Sequence, residues 1–308
     1  MAKPPRRLSV PPGYRPLRRR VTRWQIMRRR LVALVVFAAS ITALALVLRF
    51  ALDRGNSGGS SSSTTIAAKP LKILFPEGFT RRQMAERIVS VDAIARKERG
   101  VNPALSADTY LELTKSSPLP RRYGNKKSHS AEGFLFPATY DFVDSTPTAQ
   151  LVANQLVAFR KNWKKLNLRY AHSKNLTSYD VLIIASMVEK EAAAPQERAK
   201  VAGVIYNRLH RRMKLEIDAT LRYGLNLKPT QPLSPHLNSS NPYNTRRYAG
   251  LPPTPIANPG LAAMQAAAHP DRRHGYLYYL RKPHTDRQYF TSSYKDFVNH
   301  EREWGYIK

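Results

Sequence analysis

Cysteine is absent from the 308 residues. That excludes thiolate nucleophiles, Cys-ligated zinc and disulfide staples, and leaves the redox compartment undetermined. No HExxH, GxSxG, GxGxxG or P-loop pattern occurs, so the zinc-protease, nucleophile-elbow and phosphate-cradling chemistries of those spacings have no support. An SxxK match at Ser292–Lys295 has no KTG-like strand and lies near the C-terminus, where chance accounts for it. His269, Asp271 and His274 of HPDRRH fall in a turn-like stretch that suits solvated side chains better than metal ligands. Neither a metal nor an organic cofactor is called for. Acids are scarce as well: 21 Asp and Glu stand against 51 Lys and Arg, a formal charge of +30.

That charge is unevenly placed. Residues 1–30 hold 11 Lys or Arg and no acid, and are followed by 18 uncharged residues from Leu31 to Leu48, ended by Arg49. An apolar helix of this length comes close to crossing a hydrocarbon core of about 30 Å. The expectation is a basic cytoplasmic tail (1–30) and one transmembrane helix (31–50), with the rest of the chain outside the cell membrane. A cleavable signal peptide shares the basic start, but its apolar core is usually shorter, and Arg49 interrupts where small residues would be needed for cleavage. Setting aside the tail and Arg49, 39 basic residues remain against 21 acidic ones, a net +18. Such a charge first suggests nucleic acid, but outside a membrane the anionic surfaces are lipid headgroups and phosphate- or carboxylate-bearing wall polymers. No nucleic-acid partner is expected.

Residues 51–70 are rich in Gly, Ser and Thr and read as a flexible tether. From Leu71 the pattern is mixed α+β. LKILF is a short strand, Pro76-Glu77-Gly78 a turn, and Thr80 the N-cap of a helix, with a second helix from about Ser106 to Leu113. Residues 116–130 look like an exposed basic loop, and AEGFLFPATYDF (131–142) like a strand region broken by Pro137. An amphipathic helix follows Thr146-Pro147, with Leu156, Phe159, Trp163 and Leu166 on one stripe. Beyond Arg212 the eight prolines from Pro229 to Pro259 suggest ordered loops, before two strands (276–280 and 288–293) and a terminal helix.

The most informative stretch is VLIIASMVEKE (181–191). Thr177 and Asp180 resemble a capping box, so a helix begins near Ser178. At 100° per residue Glu189 falls at the edge of the apolar stripe, whereas Glu191 turns away and reads as a solvated charge. Burial would raise the pKa of Glu189 and suit it to general acid catalysis. The same position also suits a partly buried ion pair with Arg or Lys, the commoner outcome for such a carboxylate. Pro195 opens the next helix, in which Gly203 permits close approach.

EGFLFPATY, ASMVEKE, ERAKVAGVIYNRL, LEIDATLRYGL, NPYNT, GLPPTPIANPGLAA and YLYYL follow, in order, the pattern of the endolytic murein transglycosylases, the YceG-like family, over roughly residues 71–300. The resemblance implies a small LysM-like α/β subdomain (71–145) and a larger catalytic domain (146–308). It implies an enzyme, a lyase, that cuts the β-1,4 bond between N-acetylmuramic acid and N-acetylglucosamine within peptidoglycan glycan strands, leaving 1,6-anhydro-muramyl ends and limiting nascent strand length. Glu189 matches the catalytic acid/base. Asp218, Tyr243, Asn244 and Asn258 match polar motif positions and are expected to bind substrate or support the groove. Peptidoglycan strands, membrane lipid and cell-wall synthesis proteins are the implied partners. A lysozyme-like hydrolase, with Asp218 or Glu216 helping water, and a non-catalytic wall-binding scaffold are the alternatives. The chain departs from the pattern at Glu216, Arg246, Gln288 and Phe297.

Overall fold

The computed structural model describes residues 70–117, 119–125 and 129–307. The expected transmembrane helix and tether lie outside them, and among the described residues no helix is long and apolar enough to cross a membrane.

Strand β1 (Leu71–Leu74) pairs antiparallel with β2 (Thr139–Phe142), Leu71 opposite Phe142. Alternation turns Ile73, Tyr140 and Phe142 to one face, and helices α1 (Arg81–Arg99) and α2 (Ala107–Lys115), which connect the strands in sequence, bury Met84, Ile88 and Tyr110 with them. Helix α1 starts at a Thr80–Gln83 capping box and stops at Gly100, whose φ of 63° only glycine adopts freely. The 116–130 stretch is not simply an exposed loop. It contains a one-turn helix, α3 (Leu119–Arg122), with Leu119 and Pro120 buried. Tyr123 then packs edge-on against Phe134, Phe159 and Trp163. Aromatic packing outweighs the local count of basic residues. Likewise only the end of 131–142 is strand. Residues 131–135 form turns around Gly133 (φ 86°), which is packed on Pro255.

Helix α4 (Thr148–Trp163) has two working faces. Leu151 and Val152 belong to the first core, and Phe159 belongs to a second core built on α6 (Ser178–Glu191), with α5 (Arg169–Ser173) between them in sequence. The Thr177–Asp180 capping box forms as expected, and every residue of α6 from Val181 to Val188 is buried. It is buried all round because α7 (Arg198–His210), α8 (Asp218–Gly224) and α9 (Leu261–Ala268) all pack against it. Helix α9 falls in the proline-rich region expected to be loops; its Ala-rich sequence after Gly260 is strongly helix-forming. Gly203 touches the backbone of Asp271, as close approach requires. Hairpin β3 (Tyr278–Arg281) and β4 (Gln288–Thr291) and helix α10 (Tyr294–Glu303) complete the chain.

Candidate active site

Glu189 ends the buried run of α6. Its side chain is 7% exposed; Oε2 accepts the Gly260 N–H at 2.9 Å and Oε1 lies 3.7 Å from Nη2 of Arg198. Burial and an arginine neighbour, the two features that the helical pattern leaves open, are therefore both present. The Arg198 contact is too long for a hydrogen bond, and burial outweighs the Gly260 N–H, Arg198 and Lys190, so the carboxyl is held above its ordinary pKa. A carboxyl so placed keeps a proton to a higher pH than one in water.

The turn 76–79 and the segment around Asn258 bracket Glu189. Gly78 N–H donates to the Asn258 carbonyl, and Asn258 N–H to the Phe79 carbonyl, each at 2.9 Å. The Asn258 side chain is fully buried. Its Oδ1 accepts from Gly133 and Leu135 N–H at 2.8 and 3.0 Å, while Nδ2 donates to the Phe79 carbonyl and to Glu132 Oε1. Asn258 thus ties three segments together and has no free group to offer a ligand. Ser186 adds a further tie, accepting the Ile256 N–H at 3.0 Å. Asn244 is likewise buried: Nδ2 donates to the Leu237 and Ser239 carbonyls and Oδ1 accepts the Arg246 N–H. In both residues every amide atom is used internally, which ties the surrounding segments together.

Tyr243 is partly buried, shares a 2.6 Å hydrogen bond with Thr254 and packs on Tyr223. Tyr223 in turn donates to Glu132 at 3.2 Å. Glu132 opens the EGFLF motif and carries no other signal in the sequence. It is buried, and burial raises its pKa to about 7 against the Arg81 N–H, Tyr223, Arg81 charge and Asn258 contacts that oppose the rise. No periodic signal singles it out; only the fold brings it to Asn258, 126 positions away.

Asp218 opens α8 and pairs with Arg246 Nε at 2.7 Å; both are well exposed. Glu216, in the left-handed region at φ 56°, pairs with Arg208 Nη1 at 2.9 Å. Two of the departures, Glu216 and Arg246, thus sit in ion pairs. Gln288 donates from Nε2 to the Glu191 carbonyl, and Phe297 stacks on Tyr278. Glu191 corrects the expectation of a solvated charge. Tyr279 of β3 donates to it at 2.9 Å and burial raises its pKa, because the hairpin covers the helix face opposite the stripe. Helical phase identifies the apolar face, not what packs on the other. Among the described residues no cluster of three His, Cys, Asp or Glu side chains could hold a metal. Asp271 and His274 instead pair with each other at 2.7 Å.

Comparisons with known proteins identify what the chain is similar to. The endolytic murein transglycosylase of Bacillus subtilis (strain 168) is 32% identical over 215 residues, 68% of this chain and 59% of the relative. That of Streptococcus pneumoniae (strain ATCC BAA-255 / R6) is 31% identical over 244 residues, 73% of this chain and 43% of the relative. The chain thus spans roughly half the length of these curated relatives. A crystal structure of a yceG-like protein from Listeria monocytogenes superposes with a TM-score of 0.62 at 30% identity, covering 76% of each chain. Residues 49–303 match the YceG-like family profile, over a region that includes Glu189, the Asn258 junction and both cores, and the chain belongs to that family.

Proposed function

We propose that the protein is a membrane-anchored lytic transglycosylase of peptidoglycan, acting within glycan strands, with Glu189 as its single acid/base. The observation that carries this reading is a carboxyl desolvated at a helix end, fixed by one backbone N–H and held above its ordinary pKa. Protonated, Glu189 gives its proton to the glycosidic oxygen as the anomeric C–O bond breaks and the electron pair leaves with that oxygen. The muramyl C6 hydroxyl oxygen bonds to the anomeric carbon, and its proton passes to the Glu189 carboxylate. The sugar supplies its own nucleophile, so no second carboxylate is needed to activate water.

The murein transglycosylase relatives support the substrate class. The basic tail and apolar run of residues 1–50 support a single-pass anchor with the tail cytoplasmic and the site outside, next to emerging strands. A cut there limits strand length and makes wall-synthesis proteins natural neighbours. We assign residues 71–145 to a LysM-like subdomain and 146–308 to the catalytic domain. In this reading Asp218 and Tyr243 contribute to the groove, while Asn244 and Asn258 hold its walls.

The test is product mass. Full-length protein incubated with purified peptidoglycan should release anhydro-muropeptides, about 18 Da lighter than hydrolysed ones because no water is added. Glu189→Gln should abolish release; unchanged release by that variant sinks the assignment. A hydrolase is disfavoured because Asp218 and Glu216, the acids that could help water, are both engaged by arginines.

A further inference from the structure

The mechanism above leaves one acid near Glu189 unused. Glu77 lies in the turn between β1 and α1, and that turn is fastened over the end of α6. Gly78 and Phe79 exchange backbone hydrogen bonds with Asn258, and Lys190 Nζ reaches the Gly78 carbonyl at 3.4 Å. The fit is tight: a Cβ on Gly78 would stand 3.4 Å from Cγ of Glu189, and one on Gly260 would collide with the Glu77 carboxylate. Glu77 therefore packs on the α-carbon of the residue whose N–H holds Glu189. Standard bond lengths then place the two carboxyl groups within about 8 Å of each other.

Two further observations describe the Glu77 carboxylate. It is exposed, whereas Glu189 beside it is not. It also makes no hydrogen bond or ion pair among the described residues, in a chain with 51 Lys and Arg to 21 acids. Glu86, Glu98 and Asp108 are exposed without an ion pair among the described residues as well, so what distinguishes Glu77 is its place against Gly260 and beside Glu189.

We infer that Glu77 is a second carboxylate of the reaction site, brought in by the N-terminal α/β module to face the sugar and stabilise the positive charge that grows at the anomeric carbon. This rests on the assignment of Glu189 as acid/base. Glu77 forms no bond to the sugar. The C6 hydroxyl oxygen takes the anomeric carbon, the electron pair leaves with the glycosidic oxygen, and the proton cycles through Glu189. A negative charge close to an oxocarbenium-like centre lowers the barrier without taking part in proton transfer. The same charge acts on Glu189 along with Arg198, Lys190 and the Gly260 N–H; of these four, Glu77 alone favours retention of the proton. A residue of the first module thereby tunes the acid of the second.

The experiment compares full-length wild type, Glu77→Gln, Glu77→Asp and Glu189→Gln on purified glycan strands across pH, with thermal unfolding to confirm that each is folded. Glu77→Gln should lower kcat by about tenfold or more with little change in KM, and move the alkaline limb of activity to lower pH, because Glu189 then loses its proton earlier. Glu77→Asp should restore part of both. An unaltered kcat in Glu77→Gln overturns the inference. So does a lower kcat with an unmoved alkaline limb, which marks a merely structural role. If Glu189→Gln retains activity, the parent assignment fails instead, so the two failures are distinguishable.

Discussion

Asn258 Nδ2 donates to Glu132 at 2.7 Å in a site closed to solvent, and its Oδ1 accepts two backbone N–H groups from the segment that carries Glu132. A single side chain thus closes a ring between residues 77–80, 132–135 and 258–260. Removing it leaves several buried donors and acceptors without partners, each costing about 1–3 kcal/mol. Asn258→Ala should lower stability by about 2–4 kcal/mol, read from the urea midpoint. Activity should fall with it, because Gly260 and Glu77 lose their common anchor.

Glu132 adds a pH signature. Its folded pKa of about 7 stands above the ordinary 4.5, so the native state holds this proton more tightly than the unfolded chain. The resulting stabilisation is complete below about pH 4.5 and is lost as pH rises through 7, a total on the order of 3 kcal/mol. Glu189 and Glu191 shift the same way and contribute equally in both proteins. Urea unfolding at pH 4.5 and pH 8 should therefore show a smaller drop for Glu132→Gln than for wild type; equal drops would contradict the burial argument.

Gly203 meets the carbonyl oxygen of Asp271, and a Cβ there would stand 2.5 Å from it. The obstacle is backbone and cannot rotate aside. Gly203→Ala should cost about 1–3 kcal/mol despite the better helix propensity of alanine, seen as a lower Tm.

The pair between Arg246 and Asp218 should behave oppositely. Their side chains are 39% and 48% exposed, so water screens the pair in spite of its 2.7 Å separation. Arg246→Ala should change the free energy of unfolding by less than about 1 kcal/mol. A larger loss in chemical denaturation would assign the arginine a structural role that its exposure argues against.

Local signals in the sequence translate directly into structure here. The Thr177–Asp180 capping box, the Phe159–Trp163 stripe, the β3–β4 hairpin and the close approach at Gly203 all depend on residues a few positions apart or on steric size alone. What escapes is set by distant partners. Glu191 is covered by Tyr279, 88 positions on, and Glu132 by Asn258. No period along one helix can announce either contact. Asn258 and Asn244 match polar motif positions of the family, and only the fold shows that both amides turn inward. Glu77 stands out only when Gly260 is seen to lie beneath it.

Helix α4 deserves a last consequence, because Leu151 and Val152 sit in one core, Phe159 in the other, and Leu156 touches both. Unwinding its sixteen residues would expose both clusters. The two cores should therefore unfold in one cooperative step, seen as coincident urea transitions in near-UV and far-UV circular dichroism. The front module is then no detachable appendage: thermal damage that loosens β1 or α1 is transmitted through α4 to the helix that carries Glu189.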